Sequence, residues 1–396
     1  MLPVMRKLTP TLYSWASELE EVTLAQAEAL SRLPVLAGHV ALMPDAHLGK
    51  GSTVGSVIPT AGAVIPSAIG VDIGCGMVAS RTDRTAGTLP DDLQPFIERL
   101  EKVVPAGLGR WHSNPKPEAI AWWAEHRHDP GSDLSSKQVD RLLAQLGTMG
   151  GGNHFFEIAL DQEDRAWIIL HSGSRGIGNQ LAQRHMERAK QVCDFDFLSL
   201  RGNREDADLA WLEEGTAEFD RYIRDMRFAQ AYAFKNRQMM VDAAVDAFDA
   251  YAGGTRVELT VNCHHNFTQL EEHEGRKVWL TRKGAIRAGA GELGLIPGAM
   301  GGRSFVVRGL GNPESYLSCA HGAGRRMSRS RARKTLTIES LQAKMEGRAW
   351  QQRHAAALLD EHPDAYKDID RVMSDQADLV EPLHELRSIA NYKGTS

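Results

Sequence analysis

Five segments constrain this fold more than any other feature of the sequence: NHFFEIAL (153–160), AWIILHS (166–172), RVELTVNC (256–263), KVWLTRKG (277–284) and SFVVRGLG (304–311). Each has the length and the β-branched and aromatic content of a short strand, and most lie beside Gly, Asn or Asp. They come in runs and do not alternate one by one with helices. A doubly wound parallel sheet needs that alternation, so the pattern predicts an α+β fold with mixed or antiparallel sheets surrounded by helices. Helical periodicity is clearest across 217–250, where Phe219, Tyr222, Ile223, Met226, Ala229 and Ala233 recur mostly at steps of three and four. That stripe reads as core packing. Further helices are predicted at 91–104, 176–192, 334–347 and 373–390.

A chain of 396 residues is long enough for two or three domains. No Pro/Ser/Gly-rich linker and no low-complexity run separates them, so a single large domain over 1–396 is expected. The N-terminal MLPVMRKLTPTLYSWASELEEV lacks the apolar core of a signal peptide, and no apolar span is long enough to cross a bilayer. A cytoplasmic protein without a membrane partner is expected. Its four cysteines (Cys75, Cys193, Cys263, Cys319) show no CxxC spacing, and a reducing compartment leaves ligation or catalysis as their special roles.

The net charge of −5 argues against a non-specific nucleic-acid coat. Locally the balance reverses: GAGRRMSRSRARK carries Arg325, Arg326, Arg329, Arg331, Arg333 and Lys334 with no acidic residue. Two glycine-rich stretches are decoys. GAGELG (289–294) fits GxGxxG but is followed by proline and glycine where a dinucleotide fold needs a helix, and HLGKGST lacks the leading glycine and the Lys-Ser/Thr pair of a Walker loop.

The stretch GVDIGCGM (70–77) seats Asp72 and Cys75 three positions apart among glycines. Three histidine positions fall at strand ends beside polar or glycine-rich turns: His154, His171, and either His264 or His265. A thiolate, a carboxylate and several imidazoles are the donors that hold a divalent transition metal, and strand-end loops let distant residues converge. Ligand type does not choose among zinc, manganese, iron and cobalt. A second feature is SCAHGAGRRMSR, in which glycines after His321 allow close approach of backbone N–H groups to an anion, and Arg325 and Arg326 can neutralise phosphate oxygens. An imidazole beside such a cradle can act as a nucleophile toward phosphorus. Asp45, in MPDAH, is the carboxylate nominated for proton transfer, with a turn-capping role as the alternative.

With these residues in view, the sequence resembles the RtcB family of GTP-dependent RNA ligases. The likeness runs from MPDAHLGKGSTVGSVIP through GVDIGCGM, GGGNHFFE, HSGSRGIGNQ, NCHHNF, TRKGAIRAGAGELGLIPGAMGGRSFVVRGLGN and HGAGRRMSR to AYKDID and the terminal YKG. The resemblance implies two manganese ions held by Asp72, Cys75, His154, His171 and His265, with Cys75 bridging, one ion taking Asp72 and His154 and the other His171 and His265. It selects His265 over His264. It implies that His321 is the residue guanylylated by GTP. The GMP contacts it implies are Asn153, His154, Phe155, Phe156 and Glu157; His265 and Asn266; Pro297, Gly298, Ala299 and Met300; Ser304; His321, Gly322, Ala323 and Gly324; and Lys393, with Tyr366 stacking on guanine. Two positions depart from the family pattern. Ala299 replaces the serine of a Pro-Gly-Ser-Met turn, and Thr395 and Ser396 follow the usual Lys-Gly ending.

The implied reaction joins RNA ending in a 3′-phosphate or 2′,3′-cyclic phosphate to RNA beginning with a 5′-hydroxyl, through a histidine–GMP intermediate and a guanylylated RNA 3′ end. Arg175, the basic run and the metals would offset charge on phosphorus. An activating protein is a further possible partner. No KxDG motif of lysine-adenylating ligases is present. The alternatives are a metal-dependent phosphoesterase without ligation and a non-catalytic RNA-binding partner.

Overall fold

The computed structural model describes residues 5–193 and 206–394. Thr395 and Ser396 lie outside them. The α+β expectation holds: two large sheets meet near the middle of the molecule, with helices around them.

The larger sheet runs in the order Val257–His264, Gly76–Thr85, Arg165–Ser172, Phe155–Leu160, Val380–Lys393, Arg303–Gly309, Leu293–Ile296, antiparallel at every step. A short strand, Ala349–Trp350, adds in parallel to Val380–Lys393. The second sheet runs Arg6–Thr9, Leu12–Ser14, Val40–His47, Val54–Thr60, Arg276–Lys283, Asn266–His273, with one parallel pair between Leu12–Ser14 and Val40–His47. All five strands expected from the sequence are present within a few residues of their predicted ends.

The chain passes from one sheet to the other at a single residue. Val257–His264 belongs to the larger sheet and Asn266–His273 to the second, so His265 is the hinge between them. The turn after Arg276–Lys283 leads at once into Ala285–Arg287, which pairs with Ser318–Ala320 and so delivers His321 to the same place.

The long helix Ala217–Ala252 crosses the back of this region. Thr216 caps its N-terminus by accepting from the Phe219 N–H. Phe219, Tyr222, Ile223, Met226 and Ala229 pack in one core cluster, as the stripe predicts. Its Asn236 and Arg237 are buried and act on loops. The Asn236 carbonyl accepts from the Gly147 and Thr148 N–H groups, and its amide donates to the carbonyls of Thr148 and Gly173. Arg237 donates to the carbonyls of Gly74 (2.9 Å) and Ser172 (3.1 Å). One helix thus braces three separate loops.

Two helix expectations are corrected. The segment 373–390 is not a helix: Ile369–Asp375 ends early and Val380–Lys393 is a central strand paired on both sides. Pro382 lacks an N–H and breaks helices, and the strand tolerates it at a register shift opposite Val306 and Val307. The segment 334–347 is split into Arg329–Thr335 and Ile338–Lys344, each with its own cap, Ser328 and Thr337. The GAGELG decoy runs into the strand Leu293–Ile296, which confirms its rejection. Among the described residues no helix is long and apolar enough to cross a membrane.

Candidate active site

The loop carrying Asp72 and Cys75 follows a single helical turn, Pro66–Ile69, and is closed by the Cys75 N–H donating to the Asp72 carbonyl (3.2 Å). Gly74 explains part of the glycine content. It has φ +70°, and a Cβ there would lie 2.8 Å from the Gln230 Cα of the long helix, so only glycine lets the loop sit this close.

The five predicted metal ligands converge. His154 Nε2 lies 3.0 Å from Asp72 Oδ2 and 3.5 Å from Cys75 Sγ. His171 Nε2 lies 3.2 Å from Cys75 Sγ and 2.9 Å from His265 Nε2. These atoms form two triads that share the thiol: Asp72, Cys75 and His154; and Cys75, His171 and His265. The imidazoles are oriented from behind. His154 Nδ1 donates to the Met149 carbonyl (2.8 Å) and His171 Nδ1 to the Asn153 carbonyl (3.1 Å), which leaves Nε2 of each as the lone-pair nitrogen. Burial pulls His171 down to about 3 and His265 well below its ordinary value, so both rings are neutral. Burial, then the neighbouring Asp72 charge, pushes the Cys75 thiol up. Lone pairs, a carboxylate and a thiol packed this closely need cations between them, and the donor set fits two ions of the borderline class. His264 faces away: its Nδ1 meets the Gly74 carbonyl at 2.9 Å.

His321 stands next to this cluster, its ring centroid 4.7 Å from that of His265. Its Nδ1 donates to Asp45 Oδ2 at 2.6 Å, and its backbone N–H reaches the same oxygen at 3.3 Å. Asp45 is fully buried within the strand Val40–His47, so the turn-capping reading does not hold. The carboxylate fixes the tautomer, and His321 Nε2 has no hydrogen-bond partner among the described residues. Gly324, with φ +72°, lets the cradle close over this pair, because a Cβ there would meet the Asp45 carbonyl oxygen at 2.3 Å.

A cavity of about 500 Å³ opens in front of His321. Of the predicted contacts, Asn153, Phe155, Glu157, His265, Asn266, Pro297 to Met300, His321 to Gly324, Tyr366 and Lys393 line it, together with Asp72 and His171. Three predicted residues do not. Phe156 points the other way along its strand into the apolar core against Phe96. Ser304 is buried behind the Pro297–Met300 turn and accepts from the Gly298 N–H. Arg175 begins the helix Arg175–Val192 with φ 58° and donates to Thr148 Oγ1 (3.1 Å), so it braces a loop and does not face the cavity.

Sequence reasoning missed Glu361, which organises one end of the cavity. Its carboxylate takes Lys393 Nζ (2.6 Å), the Tyr366 hydroxyl (2.7 Å), Arg329 (2.6 Å) and Arg325 (3.4 Å). Although burial opposes its charge, Lys393 and Arg329 hold its pKa down to about 2. Part of the basic run is therefore neutralised internally, with Arg329 and Arg333 also on Asp360. Arg326 is exposed. Glu157, on the facing strand, behaves oppositely: burial pushes it up to about 8, and its Oε1 has no partner. No motif marks Glu361, which lies 36 positions from Arg325 in sequence.

Fold and site together define a protein with a paired metal-ligand cluster beside a histidine that opens onto a polar cavity. The chain matches the family described as tRNA-splicing ligase RtcB over residues 26–394. It is 44% identical over 384 residues to the RNA-splicing ligase RtcB of Escherichia coli K12, covering 92% of each chain. It is 30% identical over 443 residues to the RNA-splicing ligase RtcB of Mycobacterium tuberculosis, covering 93% of this chain and all of that one. It is also 30% identical over 432 residues to the tRNA-splicing ligase RtcB of Aeropyrum pernix, covering 89% and 87%. The chain belongs to the RtcB family.

Proposed function

We propose that this protein is an RNA ligase that uses GTP and manganese to join RNA 3′-phosphate or 2′,3′-cyclic phosphate ends to 5′-hydroxyl ends. The observation that carries the reading is His321, its Nδ1 fixed on a buried carboxylate and its Nε2 open to the cavity beside the paired ligands. The family and its relatives' names support ligation of RNA.

Asp72, Cys75 and His154 would hold one manganese ion, and Cys75, His171 and His265 the other. Bound there, the ions supply Lewis-acid stabilisation of phosphate oxygens. His321 Nε2 attacks the α-phosphorus of GTP and pyrophosphate leaves. Because Nδ1 keeps its proton, the phosphorylated ring is a cation, and the Asp45 carboxylate at 2.6 Å balances it. The RNA 3′-phosphate then displaces a neutral imidazole, so Asp45 needs to move no proton. The proton-transfer role given to Asp45 is replaced by charge balance and positioning. In the last step the 5′-hydroxyl displaces GMP from the guanylylated RNA end. Glu157, neutral below about pH 8, and the Glu361–Lys393–Tyr366 group offer polar contacts for a purine. Ala299 leaves that turn without the hydroxyl of its usual serine.

The test is ligation of a 3′-phosphate RNA to a 5′-hydroxyl RNA with manganese and either GTP or ATP. Joining with GTP, and none with a 3′-hydroxyl end, is the expected result. Hydrolysis of a cyclic phosphate without nucleotide-dependent joining would replace this reading with the phosphoesterase one.

A further inference from the structure

The cavity has two branches on either side of His321. One is the branch of Phe155, Glu157, Glu361, Tyr366 and Lys393. The other is walled by Lys50, Ser67, Lys190, Asp208 and Lys283. Lys283 Nζ donates to the Ser67 carbonyl (3.2 Å) and the Lys50 carbonyl (2.5 Å), and Lys190 pairs with Asp208 (2.8 Å), so this second branch is built from ordered groups.

His47 belongs to the second branch. It ends the strand Val40–His47, two residues after Asp45, and lines the cavity. Its Nδ1 donates to the Asp45 carbonyl at 2.9 Å, which leaves Nε2 as the lone-pair nitrogen. Nε2 has no hydrogen-bond partner among the described residues, and the mechanism above does not use it.

We propose that His47 is the general base that takes the proton of the incoming 5′-hydroxyl in the joining step. The assignment rests on the ligase reading and specifies one of its steps. An in-line displacement puts the attacking oxygen opposite the leaving group. With GMP held in the branch of Tyr366 and Lys393, the hydroxyl enters from the branch that His47 faces. The 5′-oxygen forms a bond to the phosphorus of the RNA 3′-phosphate, and its proton passes to Nε2. The P–O bond to GMP breaks, GMP leaves with that electron pair, and the imidazolium afterwards gives its proton to water.

The surroundings suit the role. Burial pulls the His47 pKa down to about 4, so the lone pair is available at neutral pH. Asp45 on its own strand favours the charged form, while His321 across the cradle and Lys367 packed behind Asp45 oppose it. Lys50, from the following turn, also faces the cavity. Phosphate groups of bound substrates add negative charge and draw the pKa back up, toward the range where a base is effective.

The experiment separates the steps in single turnover, using the full-length, manganese-loaded protein and its His47→Gln and His47→Ala variants. The readouts are GMP transfer to the protein, GMP transfer to a 3′-phosphate RNA, and joining of a preformed guanylylated RNA to a 5′-hydroxyl RNA. The expected result is that both GMP transfers stay within about threefold of wild type while joining falls by roughly 10²–10⁴ and loses its rise with pH. Joining within about threefold of wild type, or a parallel fall of all three steps, overturns the assignment. Absence of any protein–GMP adduct in the wild type overturns the ligase reading instead, and the assignment with it.

Discussion

Replacing Asp45 by Asn tests whether the buried charge behind His321 drives the first chemical step. An asparagine carbonyl can still accept from His321 Nδ1, so the variant keeps a hydrogen bond and removes only the charge. Asp45 is fully buried and the His321 side chain 16% exposed, which leaves the pair weakly screened by water. An imidazolium and a carboxylate about 4 Å apart between charge centres interact by about 4 kcal/mol at an effective dielectric of about 20. Part of this is recovered by relaxation, so a loss of roughly 3–4 kcal/mol is expected in the step that makes the ring cationic. At about 1.4 kcal/mol per decade the rate of GMP transfer to the protein falls roughly 10²–10³-fold. The assay is rapid-quench labelling with GTP carrying a labelled α-phosphate, read as acid-labile, alkali-stable protein-bound label. A rate within about threefold of wild type would refute the charge-balance reasoning.

Three further outcomes follow from the same geometry. Cys75→Ala removes the atom shared by both triads, so elemental analysis should show loss of both manganese equivalents; two equivalents retained would rule out a bridging thiolate. Glu157, with an ordinary value of 4.5 raised to about 8, is ionised when unfolded but protonated when folded between those values, so stability should fall as pH rises through that window; Glu157→Gln should abolish that slope in thermal melts, and an unchanged slope would contradict the assignment. Asp225 accepts from the Gly131 N–H (2.8 Å), the Ser132 N–H (2.9 Å) and hydroxyl (2.5 Å), and His185 (2.6 Å), all inside the protein. Asp225→Ala should therefore cost about 3–5 kcal/mol in denaturant unfolding, and a loss below about 1 kcal/mol would show that the clip carries little load.

The metal cluster was legible because it rests on residue types with strong chemical preferences, each placed at a strand end beside a glycine or asparagine turn. The choice between His264 and His265 was not available from spacing. It is made by the passage from one sheet to the other at His265, a tertiary feature. Arg175 looked like a phosphate contact because it follows His171 in a glycine-rich turn, but its guanidinium is taken up by Thr148. Phe156 fell on the wrong side of a strand whose alternation is plain once Phe155 and Glu157 are seen to line the cavity. The strand Val380–Lys393 reads as helical because Val380, Leu383 and Leu386 recur at steps of three. Its two neighbours and Pro382 decide otherwise. Glu361 had no local signature at all, since its meaning comes from four partners gathered from 325–393.

The most direct test of the central claim is peptide mass spectrometry of the manganese-loaded protein after incubation with GTP alone. The account predicts the mass gain of one GMP on the peptide carrying His321, localised to that imidazole and absent from His321→Ala. GMP found on a lysine, or on another residue in the His321→Ala protein, would contradict it.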